Sequence, residues 1–387
     1  MKNKIIRTST IALSLDVLLK GQLKFLNKHY NVEAISGGGD HLNKVALREG
    51  VTVMPISMQR AISPLKDLVS LWRLYQYFRK EKLSIIHSIT PKAGLLTMIA
   101  GYLAGVPLRM HTFTGLIFPY KKGILQFVLI QMDRLMCACA THIYPEGIGV
   151  QNDLIKYKIT NKRLKVLANG NVNGIDTSYF HPDKIDCMEK SRLKSKLRID
   201  KGDIVFVFVG RLVGDKGINE LVEAFVKVQT NFENVKLLLV GPKESELDPL
   251  LEITLAELRC NKNIIEVGYV EDVRPYFSIS NCLVFPSYRE GFPNVVLQAG
   301  AMNLPCIVTD INGCNEIISP NKNGVIIPVK DVVSLGQAME RMVSNKEERE
   351  QLAKNSRQLI EANYKQEYVW NCILAEYKTA LEKHGIN

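Results

Sequence analysis

The sequence predicts an α/β protein made of two consecutive Rossmann-like units facing each other. Three observations carry that reading. Short apolar runs alternate with amphipathic stretches, as parallel sheets covered by helices require. The alternation breaks at a polar, Lys- and Arg-rich stretch over 182–201 and then restarts. Strand-length apolar runs occur on both sides of that break, enough for a sheet in each half.

In the first half, strands are predicted over Lys4–Ser9, Val32–Ser36, Val51–Met54, Ile85–Ser88, Leu108–His111, His142–Tyr144 and Leu164–Leu167. Pro64–Lys82 reads as a helix in which Leu65, Leu68, Val69, Leu71, Trp72 and Tyr75 recur at helical spacing, the pattern of a stripe facing a core. The second half opens on Ile204–Val209, a fully apolar strand ended by Gly210. Val235–Val240, Ile264–Val267, Cys282–Phe285, Pro305–Thr309 and Gly324–Ile327 continue it, with helices over Ile218–Thr230 and Asn294–Met302. A last helix around Tyr368–Lys383 has no strand after it. The expected divisions are a domain over 1–181, a linker over 182–201, a domain over 202–366, and a terminal helix over 367–387 packing back toward the first domain.

Composition excludes several classes. With 46% hydrophobic and 23% charged residues the chain is ordinary for a globular protein, so disordered and fibrous readings fall away. The uncharged run 93–108 is too short, and too rich in Gly and Pro, for a spanning helix. Lys2, Lys4 and Arg7 precede apolar residues as in a signal peptide, but Asp16 interrupts them; a cytoplasmic location is expected. Eight cysteines without a CxxC pair read as buried thiols. Residues 1–180 hold 24 Lys and Arg against 10 Asp and Glu, a net +14; the remaining 26 and 29 give −3. The basic half points to an anionic partner: nucleic acid, acidic lipid or a phosphorylated substrate. A solubilising surface is the alternative.

Ligands of doubly wound sheets sit beyond the carboxyl ends of strands, which directs attention to the loops after Val209, Val240, Val267 and Phe285. The first reads Gly210-Arg211-Leu212-Val213-Gly214-Asp215-Lys216-Gly217, two cations within a glycine-bearing turn, which suits a diphosphate. Two solvated cations on a tight turn would look the same. It lacks the GK[ST] ending of a Walker loop. The loop after Phe285 reads PSYREGFPN and runs into a helix that Asn294 can cap, leaving first-turn N–H groups for an anion. Glu290 beside such an anion suits hydrogen bonding to hydroxyls; a helix N-terminus with favourable acidic charge is the alternative.

Taken together, GRLVGDKG, YREGFPNVVLQAGAMNLP, TPKAGLLTMIAGYLAGVP, RMHTFTG and the NGID at Asn173–Asp176 resemble the retaining family-four glycosyltransferases of the GT-B fold, over nearly the whole chain. Bacterial enzymes that build lipid-linked O-antigen, capsule or glycan oligosaccharides are the most similar in look. The resemblance implies two facing Rossmann-like domains with a deep cleft, a nucleotide-sugar donor (UDP-linked) and a polyprenyl-diphosphate-linked acceptor. It implies that Arg211 and Lys216 bind the diphosphate and that both are exposed in the empty site. Glu290 matches the first Glu of the family's E-x7-E motif, which contacts donor-sugar hydroxyls. The second Glu, which binds the ribose in relatives, is Gln298 here. Gly210 and the turn Gly291, Phe292, Pro293, Asn294 and Val295 match the donor-binding backbone. Thr114 falls where many relatives have a sugar-contacting His, with His111 a nearby substitute. No metal and no cofactor are expected, Arg211, Lys216 and helix amides acting in place of Mg²⁺.

The segment Phe118–Ile130, with Lys121 and Lys122, suits either a helix dipping into a membrane interface or a core helix. With the basic half it favours a peripheral enzyme on the anionic inner face of the cell membrane. Nucleic-acid recognition motifs are absent. Two rival functions remain at this stage: a sugar-nucleotide epimerase of the same fold, and a catalytically silent sugar-nucleotide-binding protein.

Overall fold

The structure, a computed structural model, describes residues 2–59, 63–244 and 248–386. It divides into two compact units, Met1–Gly174 with Gln366–Asn387, and Ile175–Lys365. The polar stretch 182–201 lies inside the second unit and carries a helix over Cys187–Lys196, opened by Asp186 accepting from the Met188 N–H.

The first unit holds strands β1 (Lys4–Thr8), β2 (Asn31–Ser36), β3 (Thr52–Pro55), β4 (Leu83–Ile89), β5 (Leu108–Phe113) and β6 (His142–Pro145). They pair in parallel in the order β3-β2-β1-β4-β5-β6. A seventh strand was expected over Leu164–Leu167. Only an isolated bridge forms there, between Ile143 and Leu164, because this sheet ends at β6 and the short stretch makes no second pairing. The helices are α1 (Ala12–Leu18), α2 (Gln22–Asn27), α3 (Asp40–Glu49), α4 (Pro64–Lys80), α5 (Pro91–Leu103), α6 (Gly123–Cys139) and α7 (Ile148–Lys156).

The second unit repeats the plan. Strands β7 (Ile204–Val209), β8 (Val235–Val240), β9 (Ile264–Gly268), β10 (Cys282–Phe285), β11 (Cys306–Thr309) and β12 (Gly324–Ile327) pair in parallel in the order β12-β11-β10-β7-β8-β9. Its helices are α8 (Cys187–Lys196), α9 (Ile218–Asn231), α10 (Glu252–Cys260), α11 (Arg274–Ser278), α12 (Asn294–Ala301), α13 (Cys314–Ile317), α14 (Val332–Ser344) and α15 (Lys346–Tyr364). The strands are near-continuous apolar runs because helices cover both faces of each sheet.

The last helix, α16 (Gln366–Lys383), belongs to the first unit, where Tyr377 and Ile373 join the cluster under α1–α3. Trp370 lies against Gly21, where a Cβ would come within 2.7 Å of the indole, and donates to Asn173 Oδ1 at 2.7 Å. Deeper in, Arg7 is fully buried and donates to the Tyr377 hydroxyl at 2.7 Å. His87 Nδ1 lies 2.5 Å from that hydroxyl and its Nε2 lies 2.7 Å from Thr112 Oγ1. Burial, then the neighbouring Arg7 charge, hold His87 well below the usual imidazole range, so it packs as the neutral ring.

Helix α4 presents a face other than the pattern suggested, and α6 shows which of its two open readings fits its head. In α4 the buried residues are Ser70, Leu74 and Phe78, whereas Leu65, Leu68, Val69 and Trp72 are exposed. Leu71 and Tyr75 of the expected stripe pack against the core, while its other four residues turn outward. In α6, Leu129 and Ile130 pack against the core while Phe127 is 62% exposed, so the head of this helix is not core.

Tyr377→Phe removes a partner from both Arg7 and His87 while keeping the ring. It is expected to lower the unfolding free energy by about 1–3 kcal/mol, the cost of leaving buried polar groups short of a bond, read by urea denaturation. An unchanged midpoint would mean that the network does not hold α16.

Candidate active site

In the second unit the strand order reverses direction between β7 and β10, which pair directly. Loops leaving the carboxyl ends of two such strands diverge to opposite faces and open a crevice between them. The loop after β7 begins with Gly210, whose φ is +153°, and its carbonyl would lie 1.8 Å from a Cβ on Gly241. Glycine at 241 is what lets the loops after β7 and β8 run side by side. Leu212 N–H then donates to the Pro242 carbonyl at 2.8 Å. Arg211 points outward, half exposed, its guanidinium 2.7 Å from Glu244 Oε2.

A 3₁₀ turn over Gly214–Lys216 ends at Gly217, with φ +71°. Lys216 forms an ion pair with Glu290 and lies 5.8 Å from the centre of the Phe285 ring. Its side chain is only 16% exposed, which corrects the expectation of an exposed lysine: the carboxylate draws it in over the end of β10. Glu290 also accepts from the Ser287 hydroxyl at 3.0 Å. The two loops are clasped further by Tyr288 N–H donating to the Asp215 carbonyl at 2.9 Å and by an Arg289–Asp215 ion pair at 2.7 Å.

Beyond Glu290 the turn is pressed from behind by Gly313, where a Cβ would meet the Gly291 carbonyl oxygen at 2.5 Å and Phe292 Cα at 2.7 Å. Phe292 is buried, its ring 5.6 Å from Tyr364, so its side chain anchors the turn. Helix α12 starts at Asn294 with Pro293 at the N-cap and no side-chain cap bond. This corrects the expectation that Asn294 caps the helix: Asn294 is already its first helical residue. The first turn of α12, Val295 included, and the positive end of the helix dipole lie at the carboxyl end of β10. Gln298, one turn on from Asn294, is half-buried.

The structure brings Gly210, Arg211, Lys216, Glu290, the 291–295 turn and Gln298 together at one sheet edge of one unit. His111 and Thr114 belong to the other unit. His111 is fully buried, its Nδ1 2.8 Å from Ser88 Oγ. Gly94 of α5 covers it so closely that a Cβ would sit 2.4 Å from the ring, and burial pulls its pKa down to about 3. The structure places it in the core of its unit, with Nε2 buried and unpaired. Thr114, just past β5, is half-buried. Sequence reasoning missed Glu244, Ser287 and the Asp215–Arg289 bracket. The loop after Val240 was the only signal for Glu244, and nothing in spacing marks a residue whose role is to hold another. Among the described residues, no three His, Cys, Asp or Glu side chains cluster as metal ligands.

Two cations beside the first-turn amides of a helix can neutralise a diphosphate, and a carboxylate beside them can accept hydrogen bonds from a polyol.

Comparison with known proteins identifies the family. Residues 189–359 match the family described as glycosyl transferases group 1, and residues 28–170 match the glycosyl transferase 4-like domain. The chain is 32% identical over 386 residues, 99% of each protein, to the capsular polysaccharide biosynthesis glycosyltransferase CapM of Staphylococcus aureus. It is 29% identical, over 74% of this chain and 73% of the relative, to the Escherichia coli UDP-Gal:alpha-D-GlcNAc-diphosphoundecaprenol alpha-1,3-galactosyltransferase. Among solved structures, Anabaena HepE in complex with UDP superposes with a TM-score of 0.82 at 16% identity, over 98% of this chain and 100% of that one. The chain belongs to the group 1 glycosyltransferases and has their GT-B fold.

Proposed function

We propose that the protein transfers a hexose or N-acetylhexosamine from a UDP-sugar to a polyprenyl-diphosphate-linked saccharide, with retention of anomeric configuration. The observation that carries this reading is the Lys216–Glu290 ion pair at the β7/β10 crossover, beside the uncapped start of α12. It joins a cation suited to a diphosphate with a carboxylate suited to sugar hydroxyls. The relative from Escherichia coli, named for a UDP-sugar donor and a diphosphoundecaprenol-linked acceptor, and the UDP complex of HepE support the choice of donor and acceptor.

The chemistry follows from charge. A nucleotide diphosphate seated on the amides of the turn around Gly291, Phe292, Asn294 and Val295 draws Lys216 from Glu290 and Arg211 from Glu244. Glu290, still held by Ser287, is then free to accept from the donor sugar. As the anomeric carbon–oxygen bond breaks, negative charge builds on the departing diphosphate, where Arg211, Lys216 and the helix amides stabilise it. The acceptor hydroxyl attacks from the same face, forming the new glycosidic bond, and its proton passes to the departing phosphate oxygen. Gln298 takes the ribose position, where its amide carbonyl accepts from a hydroxyl. The net +14 of residues 1–180 suits work at the anionic inner face of the cell membrane, where such an acceptor is anchored. No helix among the described residues is long and apolar enough to cross a membrane.

Incubation with UDP-sugars and a synthetic polyprenyl-diphosphate saccharide, with the product's anomeric configuration read by NMR, tests the proposal. An inverted product, or donor hydrolysis with no transfer to the lipid, would overturn it. Arg211→Ala and Lys216→Ala are each expected to lower kcat/KM by about 100-fold or more. Arg211→Ala should leave the urea midpoint near wild type; Lys216→Ala should lower it, since Glu290 loses its partner.

Gln298→Glu is expected to keep activity and to tighten UDP binding, because a carboxylate accepts two ribose hydroxyl bonds without orienting an amide. Loss of UDP binding by calorimetry would remove Gln298 from the ribose site.

Transfer is expected to continue in EDTA, since the charge on the diphosphate is met by Arg211, Lys216 and helix amides. Activity abolished by EDTA and restored by Mg²⁺ or Mn²⁺ would refute that charge assignment.

A further inference from the structure

Helices α4, α5 and α6 each connect two parallel strands, so each begins at the carboxyl edge of the first sheet and runs back across it. All three cover the same face: Leu74 and Phe78 of α4, Leu96 and Met98 of α5, and Met136 of α6 share one core cluster. The heads of α4 and α6 therefore lie at the same end of the same layer, on either side of α5, about 16–20 Å apart at ordinary helix spacing.

Both heads are apolar on the outside. In α4, Leu65 (80% exposed), Leu68, Val69 and Trp72 (60%) follow an i, i+3, i+4, i+7 pattern, which is one face of the helix. In α6, Ile124 (84%), Phe127 and Val128 repeat i, i+3, i+4. An outward stripe of this size on each of the two helices that flank α5 is more than scattered apolar exposure. Cations flank it. Lys66 and Arg73 are exposed on α4, and Lys121 and Lys122 are exposed just before α6. The acid at the head of α4, Asp67, is bound by Lys92 at 2.9 Å and does not offset them.

We propose that the heads of α4 and α6 form one lipid-docking surface. Leu68 and Trp72 enter an anionic bilayer beside Ile124 and Phe127, and the four cations meet the headgroups. Apolar side chains at an interface, an indole at headgroup depth and a basic rim are what such a surface requires. The charge favours acidic lipid over an uncharged apolar partner. This surface rests on the lipid-linked acceptor reading only in what it is for: it would hold the carboxyl edge of the first sheet against the leaflet that carries the acceptor.

Trp72 provides the test, since the chain has two tryptophans and Trp370 is packed within its unit. With vesicles of phosphatidylcholine and phosphatidylglycerol, wild-type emission is expected to shift to the blue and to be quenched by acyl-brominated lipid. Trp72→Phe should lose both signals while still floating with the vesicles. Leu68→Glu should weaken partitioning about tenfold or more, and Lys121→Glu/Lys122→Glu should weaken it chiefly at low salt. With a short-chain, water-soluble prenyl-diphosphate acceptor, Leu68→Glu should transfer sugar like wild type. Flotation without any change in Trp72 emission would overturn the proposal, as would failure of the wild type to float. A lipid-free dimer that Leu68→Glu converts to monomer would assign the face to a second copy and overturn it too. Vesicle binding with no transfer to any lipid-linked acceptor would instead sink the proposed function and leave the docking surface standing.

Discussion

At Gly217 the chain runs so close to the loop after β10 that a Cβ would lie 2.1 Å from the Pro286 carbonyl oxygen, at a φ of +71° that L side chains avoid. That approach brings Lys216 within reach of Glu290. The neighbouring contacts depend on the same spacing: Tyr288 N–H to the Asp215 carbonyl, Arg289 to Asp215, and Ser287 to Glu290. Together they turn two loops from adjacent strands into one platform. A platform held by backbone contacts and paired charges is pre-organised, which is the condition under which fixed charges stabilise a departing anion.

The same platform keeps its charges occupied. Arg211 is paired with Glu244 and Lys216 with Glu290. A half-buried lysine without a carboxylate would bear an uncompensated desolvation cost, so the Glu290 pairing is also a folding requirement. A diphosphate offers each cation a replacement partner of higher charge. In the reaction proposed above, exchange of partners rather than creation of new charge would be what donor binding involves.

The first unit uses its chain end differently. Helix α16 comes back from the second unit and inserts Tyr377 beside Arg7 and His87, so residues almost the whole chain apart form one buried network. On the opposite face α4 and α6 bury only their later turns, and their first turns carry apolar side chains into solvent. A layer built this way is firm over the sheet and apolar at its carboxyl edge.

The sequence by itself determined the α/β class, twelve of the strand positions and the loops that carry Arg211, Lys216 and Glu290. Those features are local: apolar runs of strand length, glycines at strand ends, and motif spacing within one loop. Tertiary structure decided the rest. Leu164–Leu167 has strand composition, yet pairing needs a neighbouring edge and the stretch forms only a bridge. His111 has the chemistry of a ligand, but the approach of Gly94 seals it in the core. The stripe of α4 is periodic, and periodicity gives a face without saying which side the sheet lies on; Ser70, Leu74 and Phe78 took the inner one. Glu244 and Ser287 hold site residues across loops separate in sequence, and such partnerships exist only once the strands are in order.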